Sequence, residues 1–271
     1  MADKHLFREM TWPEVNECVK QGRVALIPVG AIEQHGYHLP VDVDNTFVSH
    51  ICNEAARRTP DLIVSMPAIH YGYNSHNMDF PGTIDIKMQH FMDYCCDVGE
   101  SLAHQGFRRI IYINGHGSNA PLCELIARKL TVTTEAMVAN ANHWQIAWDV
   151  IAGLLEGGPY AADHACEWET SEYLALKPDL VQTDKIVDEI PAHRGGPRWL
   201  YPDLAATRQV YFMNWWSKMN ESGVAGTPSK ATAEKGKVML EATIERLVGI
   251  CRDFRAMPDG ERVDHRIRVE P

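Results

Sequence analysis

No run in this chain reaches the eighteen or so continuous apolar residues that span a membrane. Residues 1–5 also lack the apolar stretch of a signal peptide. The seven cysteines are odd in number and scattered, with no C-x-x-C pair. That spacing argues against a disulfide framework and a structural zinc knot, and reads as reduced, mostly buried thiols. Basic charge is scarce: 26 Lys and Arg against 36 Asp and Glu leave a net charge of −10. Such a balance disfavours nucleic acid and anionic membranes as partners. Internal repeats and low-complexity tracts are absent as well. These absences leave the expectation of a soluble, cytoplasmic protein whose partner is a small molecule.

What is there supports a large core. A hydrophobic fraction of 45% over 271 residues fits one α/β domain covering 1–271 better than two small ones. Thr11, Pro13 and Glu14 make a helix start with a capping box. The buried strand Val24 to Gly30 follows, then a helix over 46–58 and a strand over 62–66. A helix over 87–106, a strand over 110–113, a helix over 121–130 and a strand over about 135–139 complete the pattern. Strands alternating with helices predict βαβ units and a mainly parallel sheet. Residues 190–230 read as an irregular excursion, 231–254 as a closing helix with Leu240, Ile244, Leu247 and Ile250 on one stripe, and 255–271 as a peripheral tail.

Ligands of parallel sheets gather beyond the carboxyl ends of the strands. Glu33, His35, His38, Asp42 and Asp44 crowd into twelve residues beyond the first strand, and Asn114-Gly115-His116-Gly117-Ser118-Asn119 directly follows the third. A third cluster, Asp163 to Ser171, includes His164, Glu167 and Glu169 and leads into a helical stretch over 172–176. Carboxylates and imidazoles are costly to bury without a partner, and zinc and manganese accept both. Glu33 and His35 point the same way on an extended segment, and Asp44 can return across the loop and bridge two ions. His116 enters from the neighbouring strand, and Glu167 or Glu169 completes the set. His38 and Asp42 are left as loop polar groups. Asn74-Ser75-His76-Asn77 is a candidate site loop, and Trp144 and Trp168 are candidate pocket walls.

Gly115-His116-Gly117-Ser118-Asn119-Ala120 also fits G-x-G-x-x-A, the dinucleotide-binding pattern. That pattern wants an acidic residue at the end of the next strand, where Asn140 stands, and it normally falls on the first strand. Nucleotide binding is therefore the lesser reading.

With these residues in hand, the chain resembles the creatininase (creatinine amidohydrolase) family. The resemblance is carried by Pro28 to Gly36, His38-Leu39-Pro40 through Asp44, Phe80-Pro81-Gly82-Thr83, Asn114 to Asn119, and His164 through Glu169-Thr170-Ser171. It implies a layered α/β/α fold, a homo-oligomer (often a hexamer), and two divalent metal ions per subunit, zinc and/or manganese, with iron also suited to the donors. By motif position it implies that Glu33, Asp44 and His116 hold one ion and His35, Asp44 and a further carboxylate the other. In creatininase that carboxylate lies two residues after the loop histidine, where this chain has Ser118. The resemblance to relatives sharing this form moves the role to Glu169 and puts creatinine as substrate in question. His164 is then either a proton donor or a hydrogen-bonder that orients Glu169. Ser75, His76, Gly117, Ser118 and Trp168 are the candidate substrate contacts. The implied activity is hydrolysis of a non-peptide, cyclic amide by a metal-bridging hydroxide, with lactone hydrolysis as the alternative.

Overall fold

The computed structural model describes residues 4–158, 161–191, 210 and 212–266. Helix α1 (Trp12–Lys20) starts as its capping box requires, with the Thr11 N–H donating to Glu14 Oε2 at 2.7 Å. Strand β1 (Val24–Val29) leads to helix α2 (Val43–Arg58), then to strand β2 (Ile63–Ser65). Helix α3 (Met88–His104), strand β3 (Arg109–Asn114), helix α4 (Ala120–Thr133) and strand β4 (Met137–Asn142) continue the alternation. The four strands form one parallel sheet in the order β2-β1-β3-β4.

The sheet is covered on both faces, and β1 shows how. Val24 and Leu26 pack with Phe47 and Ile51 of α2, while Ala25, Ile27 and Val29 pack with Phe91 of α3 and Ile126 of α4. Strand β3 divides its side chains the same way, Ile111 and Ile113 to one layer and Ile110 and Tyr112 to the other. A continuous apolar run is what a strand buried on both faces needs. The result is a mixed α/β protein with a central parallel sheet.

Two short helices, α5 (His143–Ile146) and α6 (Trp148–Leu154), follow β4. Strand β5 (Ala162–His164) pairs antiparallel with β6 (Ala225–Gly226). Between them comes helix α7 (Glu167–Leu176), and helix α8 (Ala233–Ala256) closes the α2 layer.

Several boundaries differ from the sequence reading, for physical reasons. Helix α2 begins at Val43, three residues before the expected start, so Asp44 sits in its first turn, where a carboxylate is favoured by the helix dipole. Helix α7 begins at Glu167, five residues early, and so carries Glu167 and Glu169 itself. On α8 the buried stripe includes Met239, Leu240, Ile244, Leu247 and Cys251, whereas Ile250 is exposed. The strand β6 and short 3-10 turns at Trp216–Lys218 and Pro228–Lys230 lie within the expected irregular excursion. Residues 192–209 and 211 of that excursion, and 267–271 of the tail, lie outside the described residues.

Glu167 is a structural anchor. Its buried carboxylate accepts from the N–H groups of Glu156 and Gly157 and from Lys235 Nζ at 2.7 Å. Removing one partner of a buried ion pair leaves an uncompensated charge and costs about 3 kcal/mol or more. Lys235→Met is accordingly expected to destabilise the fold by about that amount in urea unfolding. A loss well under 1 kcal/mol would show that the two backbone donors suffice for Glu167.

Candidate active site

Beyond β1 the chain doubles back on itself. The Glu33 N–H donates to Val41 O at 3.1 Å, and Asn45 Nδ2 donates to Ala31 O and His70 O. This fold-back delivers Glu33 and His35 opposite Asp44 at the start of α2. From β3, Asn114 holds the next loop: its side chain donates to His116 O and accepts from His116 N. Gly115 lets the two segments meet, because a Cβ there would stand 2.8 Å from Asp44 O. His164 ends β5, and Ala165 then takes a left-handed φ of +48° before α7 presents Glu169. A non-glycine residue held in that region costs free energy, and such strain concentrates at functional sites.

These elements bring six side chains into one buried cluster. Potential ligand atoms of Glu33, Asp44 and His116 lie within 4.8 Å of one another, as do those of His35, Asp44 and Glu169. Asp44 belongs to both groups through different oxygens: Oδ1 is 3.3 Å from His35 Nε2, and Oδ2 is 3.3 Å from His116 Nδ1. Glu33 Oε1 is 2.8 Å from His116 Nδ1, and Glu169 Oε1 is 3.8 Å from His35 Nε2. His164 Nδ1 faces Glu33 Oε1 at 3.8 Å and forms a third group with Glu33 and His35.

The imidazoles are oriented from outside the cluster. A main-chain carbonyl can only accept, so His35 Nδ1–H donates to Glu33 O (3.2 Å) and His116 Nε2–H donates to Tyr73 O (3.1 Å). Likewise His164 Nε2–H donates to Gln34 O at 2.8 Å. In each ring the remaining nitrogen faces the carboxylates, the position from which a neutral imidazole can ligate a cation. His35 Nε2 and Asp44 Oδ2 are buried without an aligned hydrogen bond, which marks them as groups awaiting another partner. The donor set therefore fits divalent metal ions of the zinc or manganese kind.

The electrostatics agree. Burial opposes ionisation of Glu33 and Asp44, but the neighbouring imidazoles prevail and hold both carboxyls below their usual range. Burial also opposes charge on His116, yet Glu33 and Asp44 push it up to about 10, and His35 is raised by Asp44 and Glu169 in the same way. Three buried carboxylates thus draw positive charge into the cluster, protons here and equally a metal.

Other expected contacts are distributed less simply. Ser75, His76 and Ser118 line a cavity of about 650 Å³ beside the cluster, with the His76 ring stacked 6.4 Å from that of His116. Gly117 opens the short turn that carries Ser118 and is not among the residues lining that cavity. Trp168 and Trp144 do not line it either: both are buried, each packed about His143. Trp168 follows Glu167 on α7 and points with Phe47 into the core. His38 is fully buried and bonded through Nε2 to Thr170 Oγ1 at 2.8 Å, tying the ligand loop to α7.

Some site residues had no individual role in the sequence reading. Asn77 Nδ2 donates a short hydrogen bond to Glu33 Oε2. Gln34 supplies the carbonyl that orients His164, and its amide reaches Gly223 O at 3.1 Å. Trp216 Nε1 donates to the same Gly223 carbonyl, and its ring stands edge-on to His164 at 5.2 Å. Gln34 and Asn77 belong to motifs visible in the sequence, whereas Trp216 lies in the stretch that gave no signal.

The family model described as creatinine amidohydrolase matches residues 8–251. The chain is 31% identical to creatinine amidohydrolase from Pseudomonas putida, with 90% of this chain and 95% of the relative covered. It is 30% identical to 3-dehydro-scyllo-inosose hydrolase from Thermotoga maritima, covering 97% of this chain and 90% of the relative. A solved structure, "Creatininase Mn", superposes with a TM-score of 0.77 at 28% identity, covering 92% of this chain and 98% of the other.

Proposed function

The chain belongs to the creatininase family, and from that premise we propose that it is a two-metal hydrolase of a small cyclic amide. The observation that carries the reading is the pair of buried carboxylate–imidazole groups that share Asp44. In this reading Glu33, Asp44 and His116 hold one divalent ion, and His35, Asp44 and Glu169 hold the other. Two such ions would supply Lewis acidity for a carbonyl and lower the pKa of water enough to yield a nucleophile near neutral pH.

The remaining chemistry falls to the chain. Hydrolysis forms a C–O bond to the carbonyl carbon and breaks its C–N bond, and the departing nitrogen takes a proton. In this reading His164 gives that proton from Nδ1, a role supported by Nε2 being engaged with Gln34 O while Nδ1 faces the cluster. Asn77 and the Tyr73 carbonyl keep Glu33 and His116 in place. Trp216, edge-on to both His164 and His76, walls the site against bulk water.

A second reading has its own support. The hydrolase from Thermotoga maritima named for 3-dehydro-scyllo-inosose is nearly as similar as the amidohydrolase, so the bond cleaved here need not be an amide. A lactone meets the same cluster with a better leaving group.

The test combines metal analysis with stability. About two ions per subunit are expected in protein purified without chelator, together with hydrolysis that EDTA abolishes and manganese or zinc restores. Because bound metal stabilises only the folded state, EDTA should also lower Tm by roughly 10 °C. Protein that holds no metal after reloading, with Tm unmoved by EDTA, would overturn the reading.

A further inference from the structure

The cavity beside the cluster has two unlike ends. Its inner end is polar: Ser118 Oγ lies 3.3 Å from His76 Nε2, and His76 stacks against His116. The rest of its lining is mostly apolar, formed by Tyr73, Met88, Leu122, Met213 and Trp215, with Asn214 among them. Among the described residues that line it there is no Asp, Glu, Lys or Arg. Met88 and Trp215 keep 46% and 44% of their surface exposed, although apolar side chains gathered over a cavity are normally covered by something. Its volume, about 650 Å³, lies within the range of pockets that enclose a whole small ligand. A bare five-membered amide ring would leave most of it filled with water against apolar walls.

We propose that this cavity seats an uncharged, apolar arm of aromatic size on the substrate, with the scissile carbonyl directed past Ser118 and His76 to the cluster. The inference rests on the hydrolase reading for the direction of the substrate, while the seat itself stands on the cavity. Continuity with the cluster is the reason to choose a substrate arm over a protein partner: the same loop carries His116 and Ser118. Trp215 and Tyr73 offer rings against which a second ring can stack or set its edge, and the flexible methionines adapt to its outline.

Three compounds with one reacting ring separate the possibilities: hydantoin, 5-benzylhydantoin and 5-(4-carboxybenzyl)hydantoin. Their binding to the manganese-loaded protein is measured by calorimetry, beside turnover of each. The benzyl compound is expected to bind about tenfold or more tighter than hydantoin, the discrimination an apolar pocket gives. The added carboxylate should cancel that gain, because the described part of the wall offers it no cation. In Trp215→Ala, and independently in Met88→Ala, the ratio between the benzyl compound and hydantoin should fall toward one. Equal binding of hydantoin and the benzyl compound would overturn the proposal, as would benzyl and carboxybenzyl compounds that bind alike. Sedimentation of the parent and Trp215→Ala supplies the other check: a change in assembly mass, with the ratio unchanged, would assign the apolar wall to a second copy of the chain and overturn the proposal. Discrimination in binding with no turnover of any compound would retain the seat and sink the amide reading. Turnover of all three at one rate, with equal binding, would do the reverse.

Discussion

Asparagine in place of Asp44 is expected to leave the protein with one metal ion or none and to lower kcat/KM about a thousandfold or more, since metal assistance is worth several kcal/mol. The expectation follows from the two oxygens. Oδ1 faces His35 and Oδ2 faces His116, each at 3.3 Å. An amide offers one oxygen acceptor, and its NH2 group turns two hydrogens toward a nitrogen lone pair. Glu169→Gln touches only the group containing His35 and Asp44, so it should keep about one ion. Misfolding is separable from loss of ligands by melting both variants in EDTA. Without metal, the imidazoles beside Asp44 hold its carboxyl ionised, so losing that charge leaves them less compensated and should lower the Tm of Asp44→Asn in EDTA below that of the parent. A cooperative melt in EDTA would still show that the variant folds. Two ions retained by Asp44→Asn would show that Asp44 is not shared between the two groups.

The parallel sheet was legible because its strands are buried on both faces. Val24 to Val29 and Ile110 to Ile113 are unbroken apolar runs, and their alternate residues pack into two separate layers. Helix starts were less legible where polar ligands occupy the first turn. Asp44 and Asn45 break the apolar periodicity, so α2 read as starting at Thr46, although its backbone turns helical at Val43. The same happened at Glu167 and Glu169 on α7. Strand β5 is three residues long and pairs with a two-residue strand about sixty positions later, and no local pattern encodes such a partner.

The site was legible to the extent that its residues share motifs. Glu33, His35 and His116 each stand out as charged or imidazole groups just beyond apolar runs, whereas Glu169 was separated from Glu167 only by the family resemblance, and all four lie in the buried cluster. Tryptophan was the harder case. An indole looks the same in sequence whether it fills a core, as Trp168 does against Phe47, or borders a site, as Trp216 does against His164. Only the long-range hydrogen bonds of Gly223, to Gln34 and to Trp216, bring the second of these to the cluster.

His164→Ala is expected to lose about a hundredfold or more in kcat on an amide, the ordinary scale of general-acid catalysis. On a lactone or ester of the same ring the loss should be small, because an alkoxide leaves more readily than an amide nitrogen. Burial, and then the neighbouring charge of His35, push the His164 pKa down. A lowered pKa favours the neutral ring, so the proton that His164 gives must first be taken up within the site, as from the attacking water. The ring cannot turn to place that proton elsewhere without giving up the bond to Gln34 O at 2.8 Å. A neutral residue that keeps a hydrogen-bonding side chain, as in His164→Gln, should be as poor as alanine if the proton matters and should recover rate if orientation of the cluster matters. A loss of equal size on amide and ester would remove His164 from the leaving-group step. Its nearest cluster atom, Glu33 Oε1 at 3.8 Å, would then assign it to holding the carboxylates in place, and the metal content of the variant should fall with its rate.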